Sequence, residues 1–394
     1  MRRIEILILI NALTALSALL VDVMLPSFEA MARAYRTDID AMTAIVGYVL
    51  ISSAVLPLVA GPVSDRFGRR NTLIAGLAVA LVGAVGGAWA PSYAWHVAAR
   101  LLQAGGCSAF VLSQAILQDA YPGHSGLRVR IFTLTFSGIC IAGAPLLGAA
   151  LQASVDWQAS FWLFAGMSAA TCALAGKCLP AHATPATHAA HSPTTYVRRY
   201  QQIVTHRVFL KYSVTGAMAF SCHVAFVILS PTLFLDQFGY SIDEYAYVLL
   251  FYGLVNVACG IVASRLTRYI DIHRQIRVGT QLFAFAGALM VLLGVAATPH
   301  VATILCPMLF VSLAMSLIRP ATATLAMALF ETHAGTAAAV MGAMRFLVAG
   351  ALGVVTSMIP LSKIDVMTLL IPACAVTALL CAPRESCRSR VRQS

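Results

Sequence analysis

The 394-residue chain is 60% hydrophobic and only 10% charged, with a mean hydropathy of +0.84. A soluble chain carries about a quarter charged residues, which excludes an ordinary globular protein, and its continuous rather than alternating apolar runs exclude a transmembrane barrel. The net charge of +11 sits in short loops beside apolar runs, a pattern that sets membrane orientation and does not suit nucleic acid.

Taken in chain order, the apolar runs predict twelve helical spans at 4–27, 41–62, 70–90, 95–120, 128–152, 157–179, 208–235, 244–264, 276–298, 301–330, 334–360 and 366–383. The expected class is therefore an all-α membrane protein. The first span follows Arg2 and Arg3. It is too long for a signal peptide and ends at Asp22–Pro26 rather than at a small-residue cleavage site, so it is expected to be retained. Spans two and three are joined by Gly61-Pro62-Val63-Ser64-Asp65-Arg66-Phe67-Gly68-Arg69-Arg70, a tight, basic hairpin expected on the cytoplasmic side. With both termini inside, twenty of the 26 Lys and Arg residues fall on the cytoplasmic side. Arg33, Arg36 and Lys363 fall outside, and Arg100, Arg319 and Arg345 lie within spans.

A polar stretch at 180–207, with His188, His191, Arg198, Arg199 and Arg207, interrupts the apolar pattern after six spans. The predicted organisation is a six-helix bundle at 1–179, a cytoplasmic linker at 180–207 and a second six-helix bundle at 208–394 with a short basic tail. Two pseudo-symmetric bundles imply alternating access to a central path. The basic loop near 260–279 occupies the place in the second half that 61–70 occupies in the first.

An Asp or Arg at mid-span costs about 2.5–3.5 kcal/mol, so each such residue is a functional candidate. Asp22 lies about five residues before the outer end of span 1, and Arg100 about five residues after the outer start of the antiparallel span 4, at matched depth. They are read either as a proton-coupling pair or as a structural ion pair. Arg100, Gln103, Cys107, Gln114 and Gln118 share one stripe of span 4, and Asn11, Thr14 and Asp22 share a face of span 1. A cavity and helix–helix hydrogen bonding both account for such stripes. The second half adds His223, Asn256, Arg319 and Arg345. The two arginines either bond carbonyls freed near Pro320 or face an anionic substrate. In span 5, Gly143, Pro145 and Gly148 serve close packing or a hinge.

Ten cysteines are scattered, mostly within apolar runs, without metal-binding spacing. No nucleophile–base set, phosphate loop or metal cluster is evident, so neither an enzyme nor an ATP-driven pump is expected. No cofactor is expected beyond the proton as coupling ion.

These motifs resemble the major facilitator superfamily, and within it the twelve-helix drug:proton antiporters of the bicyclomycin/chloramphenicol-resistance (Bcr/CflA-type) branch. The residues that carry the likeness are Asp22-Val-Met-Leu-Pro26, the hairpin 61–70 and Arg100-Leu-Leu-Gln103-Ala104. Gly143-Ala144-Pro145 with Gly148, Trp157 and Phe161-Trp162, and His333-Ala-Gly335-Thr336-Ala337, extend it. The resemblance implies that Gly61, Asp65, Arg66, Gly68, Arg69 and Arg70 form a cytoplasmic latch. It also implies that Asp22 is a protonation or substrate-sensing acid partnered by Arg100, and that Gly143, Pro145 and Gly148 form a hinge. The chain departs from the branch in having Gln114 and Gln118 where a further Arg often stands, and Ala149 in place of a second glycine. The implied activity is proton-coupled export of a small, moderately hydrophobic compound by a monomer in the bacterial inner membrane. Export of an endogenous siderophore, peptide or sugar is one alternative, and a non-transporting membrane sensor another.

Overall fold

In lipid an isolated apolar segment satisfies its backbone only by coiling into a helix or closing a barrel, and this chain coils. A computed structural model describes residues 2–107, 112–121, 124–179, 193–266, 269–296, 300–330 and 334–382. Among them there is no strand.

The chain begins with α1 (Arg2–Leu19), which stops short of the predicted 27. A 3₁₀ turn, Asp22–Ser27, then leads into α2 (Phe28–Tyr35). Pro26 has no N–H to return to the Asp22 carbonyl, which is one local reason that an α-helix does not run on here. Next come α3 (Ile39–Phe67) and α4 (Arg69–Ala88), separated by Gly68 at φ 84°, a left-handed conformation that glycine adopts without strain. The predicted fourth span appears as α5 (Tyr93–Cys107) and α6 (Leu112–Ala120), followed by α7 (His124–Ser154) and α8 (Gln158–Cys178). Within the stretch predicted as a linker, residues 193–205 are helical as α9 (Pro193–Thr205). The rest of that stretch up to 192 lies outside the described residues.

The second half continues with α10 (Arg207–Pro231), ending in a π-helical turn, Thr232–Gln237, and α11 (Ile242–Leu266). It closes with α12 (Ile272–Ala296), α13 (Val301–Ala328), α14 (Ala334–Met358) and α15 (Lys363–Cys381). Among the described residues, ten helical stretches are long and apolar enough to cross a membrane, and Ile39–Val55 is a shorter apolar helix. Large apolar side chains remain exposed along these helices, among them Val82, Leu254, Phe285 and Leu380, as expected for surfaces that meet lipid rather than water.

The helices form two compact units. The first comprises Met1–His191 together with Ser230–Leu254; the second comprises Ser192–Leu229 together with Val255–Ser394. In the first, α4 packs on α5 and α8; in the second, α12 packs on α13 and α15. These are corresponding helices of each set of six, so the internal repeat recurs in the packing. Small residues make both contacts close. A β-carbon at Gly83 would fall on the Gln103 backbone, and one at Gly279 would stand 2.6 Å from Ile318. Side chains explain why Ser230–Leu254 packs with the first unit. Thr232 Oγ1 donates to Asp40 Oδ1 at 2.8 Å, and Gly253 lies flush against Ala142.

Candidate functional site

The first cluster forms where α1 gives way to the 3₁₀ turn. Arg100, 2% exposed on α5, donates through Nη2 to the Leu20 carbonyl and through Nη1 to Gln103 Oε1, both at 2.6 Å. Its guanidinium also lies 5.8 Å from the centre of the Phe161 ring. Arg100 therefore ties α5 to the backbone two residues before Asp22. Among the described residues no hydrogen bond or ion pair joins Arg100 to the Asp22 carboxylate; the two share a neighbourhood without pairing. Asp22 is half-buried and begins the turn.

α7 presses on this turn directly. A β-carbon at Gly148 would fall on the Val23 carbonyl oxygen, so only glycine lets the helix approach so closely. Gly143 has open space where a side chain would stand, and α7 runs unbroken through the buried Pro145. Of the three predicted hinge residues, Gly148 is thus also a packing contact with the Asp22 turn.

Sequence reasoning missed Tyr245 and Ser230. Their hydroxyls hydrogen-bond at 2.7 Å within the first unit, and the Asp22 carboxylate acts electrostatically on Tyr245. The one signal available was the position of Tyr245 in the first turn of an apolar helix, which does not distinguish it from an interfacial aromatic. His96 was also unremarked. It is buried on α5 and meets the Tyr35 hydroxyl at Nδ1 (3.2 Å), amid the rings of Trp157 and Phe161.

Asn11 donates to the Leu7 carbonyl of its own helix at 2.8 Å, and its Oδ1 is buried without a partner among the described residues. Gln103 is fully buried, its Nε2 likewise unpartnered among the described residues. The side chains of Gly61, Asp65, Arg66 and Gln114 lie outside the described set. At the other end of the hairpin, Arg70 donates to the Gly176 carbonyl at 2.9 Å. That places a cation at the C-terminal, electronegative end of α8 and fixes the start of α4 against it.

A second cluster lies in the second unit. Arg319 on α13 and Arg345 on α14 approach the same ring, Phe220 on α10, with guanidinium carbons 4.9 and 5.2 Å from its centre. Phe346 packs edge-on against Phe220 and also faces Arg345 at 5.2 Å. The His223 ring is centred 6.4 Å from that of Phe220. Asn256 is half-buried on α11 in the same unit. The structure thus gathers Arg319, Arg345 and His223, all three singled out from the sequence, around a phenylalanine that was not. Among the described residues no group of three or more His, Cys, Asp or Glu side chains is arranged to hold a metal ion.

The profile of the Major Facilitator Superfamily matches residues 7–354. The MFS-type transporter YdgK of Bacillus subtilis (strain 168) is 24% identical over 343 residues, covering 86% of this chain and 85% of its own. The multidrug resistance protein MdtM of Salmonella typhimurium is 26% identical over 286 residues, covering 71% of this chain and 68% of its own. Among solved structures, a D-xylose-proton symporter superposes with a TM-score of 0.74 at 15% identity, over 96% of this chain and 98% of that one.

Proposed function

Because this chain belongs to the Major Facilitator Superfamily, a family of multi-pass membrane transporters of small molecules, we propose that it is a proton-coupled exporter of small, moderately hydrophobic, drug-like compounds. Two observations support the drug side of this reading. One is the similarity to MdtM, named as a multidrug resistance protein; the other is the resemblance of the motifs around Asp22, Arg100 and the 61–70 hairpin to the Bcr/CflA-type branch. In this reading the transporter works as a monomer in the bacterial inner membrane, with both termini cytoplasmic, no cofactor but the proton, and alternating access between the two sides. The hairpin around Asp65, Arg66, Gly68, Arg69 and Arg70 stabilises one access state.

The observation that carries the coupling proposal is the Asp22 carboxylate. It sits at a break in the first span, half-buried, with no hydrogen bond or ion pair reaching it among the described residues. A carboxylate without a fixed counter-ion gains or loses a proton with little rearrangement around it, and protonation removes a charge that is costly in the membrane. Arg100, held by Leu20 and Gln103, keeps a positive charge against the backbone two residues before Asp22. One proton moving down 100 mV supplies about 2.3 kcal/mol, enough for a roughly 50-fold gradient of a neutral solute. Asp22→Asn in proteoliposomes should abolish efflux driven by an imposed pH gradient while the protein still inserts. Undiminished efflux would remove Asp22 from the coupling step.

A further inference from the structure

We propose that Arg319, Arg345 and Phe220 form a binding site for the anionic group of an aromatic or apolar organic anion. This names the substrate class of the transporter and rests on the transport reading for the claim that the bound molecule is cargo. Three helices contribute one side chain each at similar depth. Arg319 is about 14 Å along α13 from Ala328, Arg345 about 17 Å along α14 from Ala334, and Phe220 about 20 Å along α10 from Arg207. In a hydrocarbon layer about 30 Å thick, these positions lie near the middle, far from the headgroups. A soluble organic anion reaches this depth through an aqueous cavity, whereas the headgroup of an anionic lipid is held at the interface.

The charges at this depth are not balanced. Among the described residues neither guanidinium has a carboxylate partner, and the Nε of each is buried without an acceptor. Pro320 frees the Ser316 carbonyl, but among the described residues Arg319 does not use it and makes only a weak hydrogen bond from Nη1 to Met315 Sδ at 3.9 Å. The two cations act on each other electrostatically and share one ring, so their guanidinium carbons are no more than about 10 Å apart. A desolvated ring face returns less than a cation costs at mid-membrane, before the mutual repulsion of the two. A carboxylate or sulfonate between them relieves both deficits with charge-assisted hydrogen bonds. Arg319, Arg345, Phe220 and His223 are all only half-buried, so the cluster borders open space. Lipid is a poor neighbour for two guanidinium groups, which argues for water or a polar ligand in that space. Phe220 and Phe346 supply an apolar wall for the body of the ligand.

The test is calorimetric titration of the full chain in nanodiscs of zwitterionic lipid with three ligands of one shape: 2-naphthoate, 2-naphthamide and 2-naphthylmethylammonium. The carboxylate should bind at least tenfold more tightly than the amide, and the ammonium more weakly still. Arg319→Gln and Arg345→Gln should each abolish that preference, and Arg345→Lys should retain part of it. Equal binding of carboxylate and amide by the unaltered chain overturns the proposal without relying on any variant. Loss of naphthoate binding when anionic phosphatidylglycerol is added to the disc assigns the site to lipid headgroups and likewise overturns it. Naphthoate that binds with the expected preference but is not moved by a pH gradient supports the site and refutes the transport reading. Efflux of a neutral compound with no preference for naphthoate does the reverse.

Discussion

Arg100 illustrates how a membrane-buried cation is accommodated when no carboxylate among the described residues pairs with it. Its two Nη nitrogens donate to neutral acceptors, the Leu20 carbonyl just past α1 and the Gln103 side chain. Removing the guanidinium leaves these acceptors buried, and each unsatisfied group costs about 1–3 kcal/mol. Arg100→Gln should therefore destabilise the protein by roughly 2–4 kcal/mol, read as a lowered melting temperature in detergent. Arg100→Lys, which keeps the charge and one bond, should lose about half as much. An unchanged melting temperature in Arg100→Gln would show that these bonds carry no structural weight. Helical periodicity in the sequence brought Asp22 and Arg100 to the same depth, and the structure places Arg100 on the backbone just before Asp22. Their lack of direct pairing was not legible, because both the depth and the facing of Asp22 assume a continuous α-helix up to that residue. The α-helix instead ends at Leu19, and the turn at Leu20 and Val21 takes Asp22 out of the helical register.

At the level of elements, helix identity followed from apolar length, but helix ends did not. Local apolar content carried the first span through to residue 27 and read 193–205 as polar linker. Yet α1 gives way at a tertiary contact with Arg100, and α9 packs against α14. The glycines of α7 show the same limit. Their spacing announced close approach or a hinge without distinguishing the two, and only the neighbours separate them. Gly148 abuts the Val23 carbonyl, whereas Gly143 faces open space. Gly148→Ala should force α7 away from the Asp22 turn, at roughly the 1–3 kcal/mol of an overpacked core. Both melting temperature and efflux should fall. Gly143→Ala should leave the melting temperature unchanged or raise it slightly, since nothing stands where its methyl group would go and alanine favours the helix. An unshifted melting temperature in Gly148→Ala would refute the close contact as a source of stability.

Across the whole molecule, composition and charge conveyed the class of protein, while the grouping of segments was set by contacts between residues far apart in sequence. Ser230–Leu254 joins the first unit through Asp40 with Thr232 and through Ala142 with Gly253, pairs that no local pattern announces. The orientation proposal, in contrast, rests on a property spread along the entire chain. With twenty of the 26 Lys and Arg residues in loops assigned to the cytoplasm, inverting the protein would place nearly all of them on the outer side. That asymmetry yields opposite expectations for two exposed positions: Asp38, between α2 and α3, on the outer side, and Thr205, at the end of α9, in the cytoplasm. In sealed right-side-out vesicles, Asp38→Cys should react with a membrane-impermeant maleimide above the background of the unaltered chain. Thr205→Cys should react only after the vesicles are opened. The reverse pattern would invert the topology, and with it the side from which the proposed coupling step would protonate Asp22.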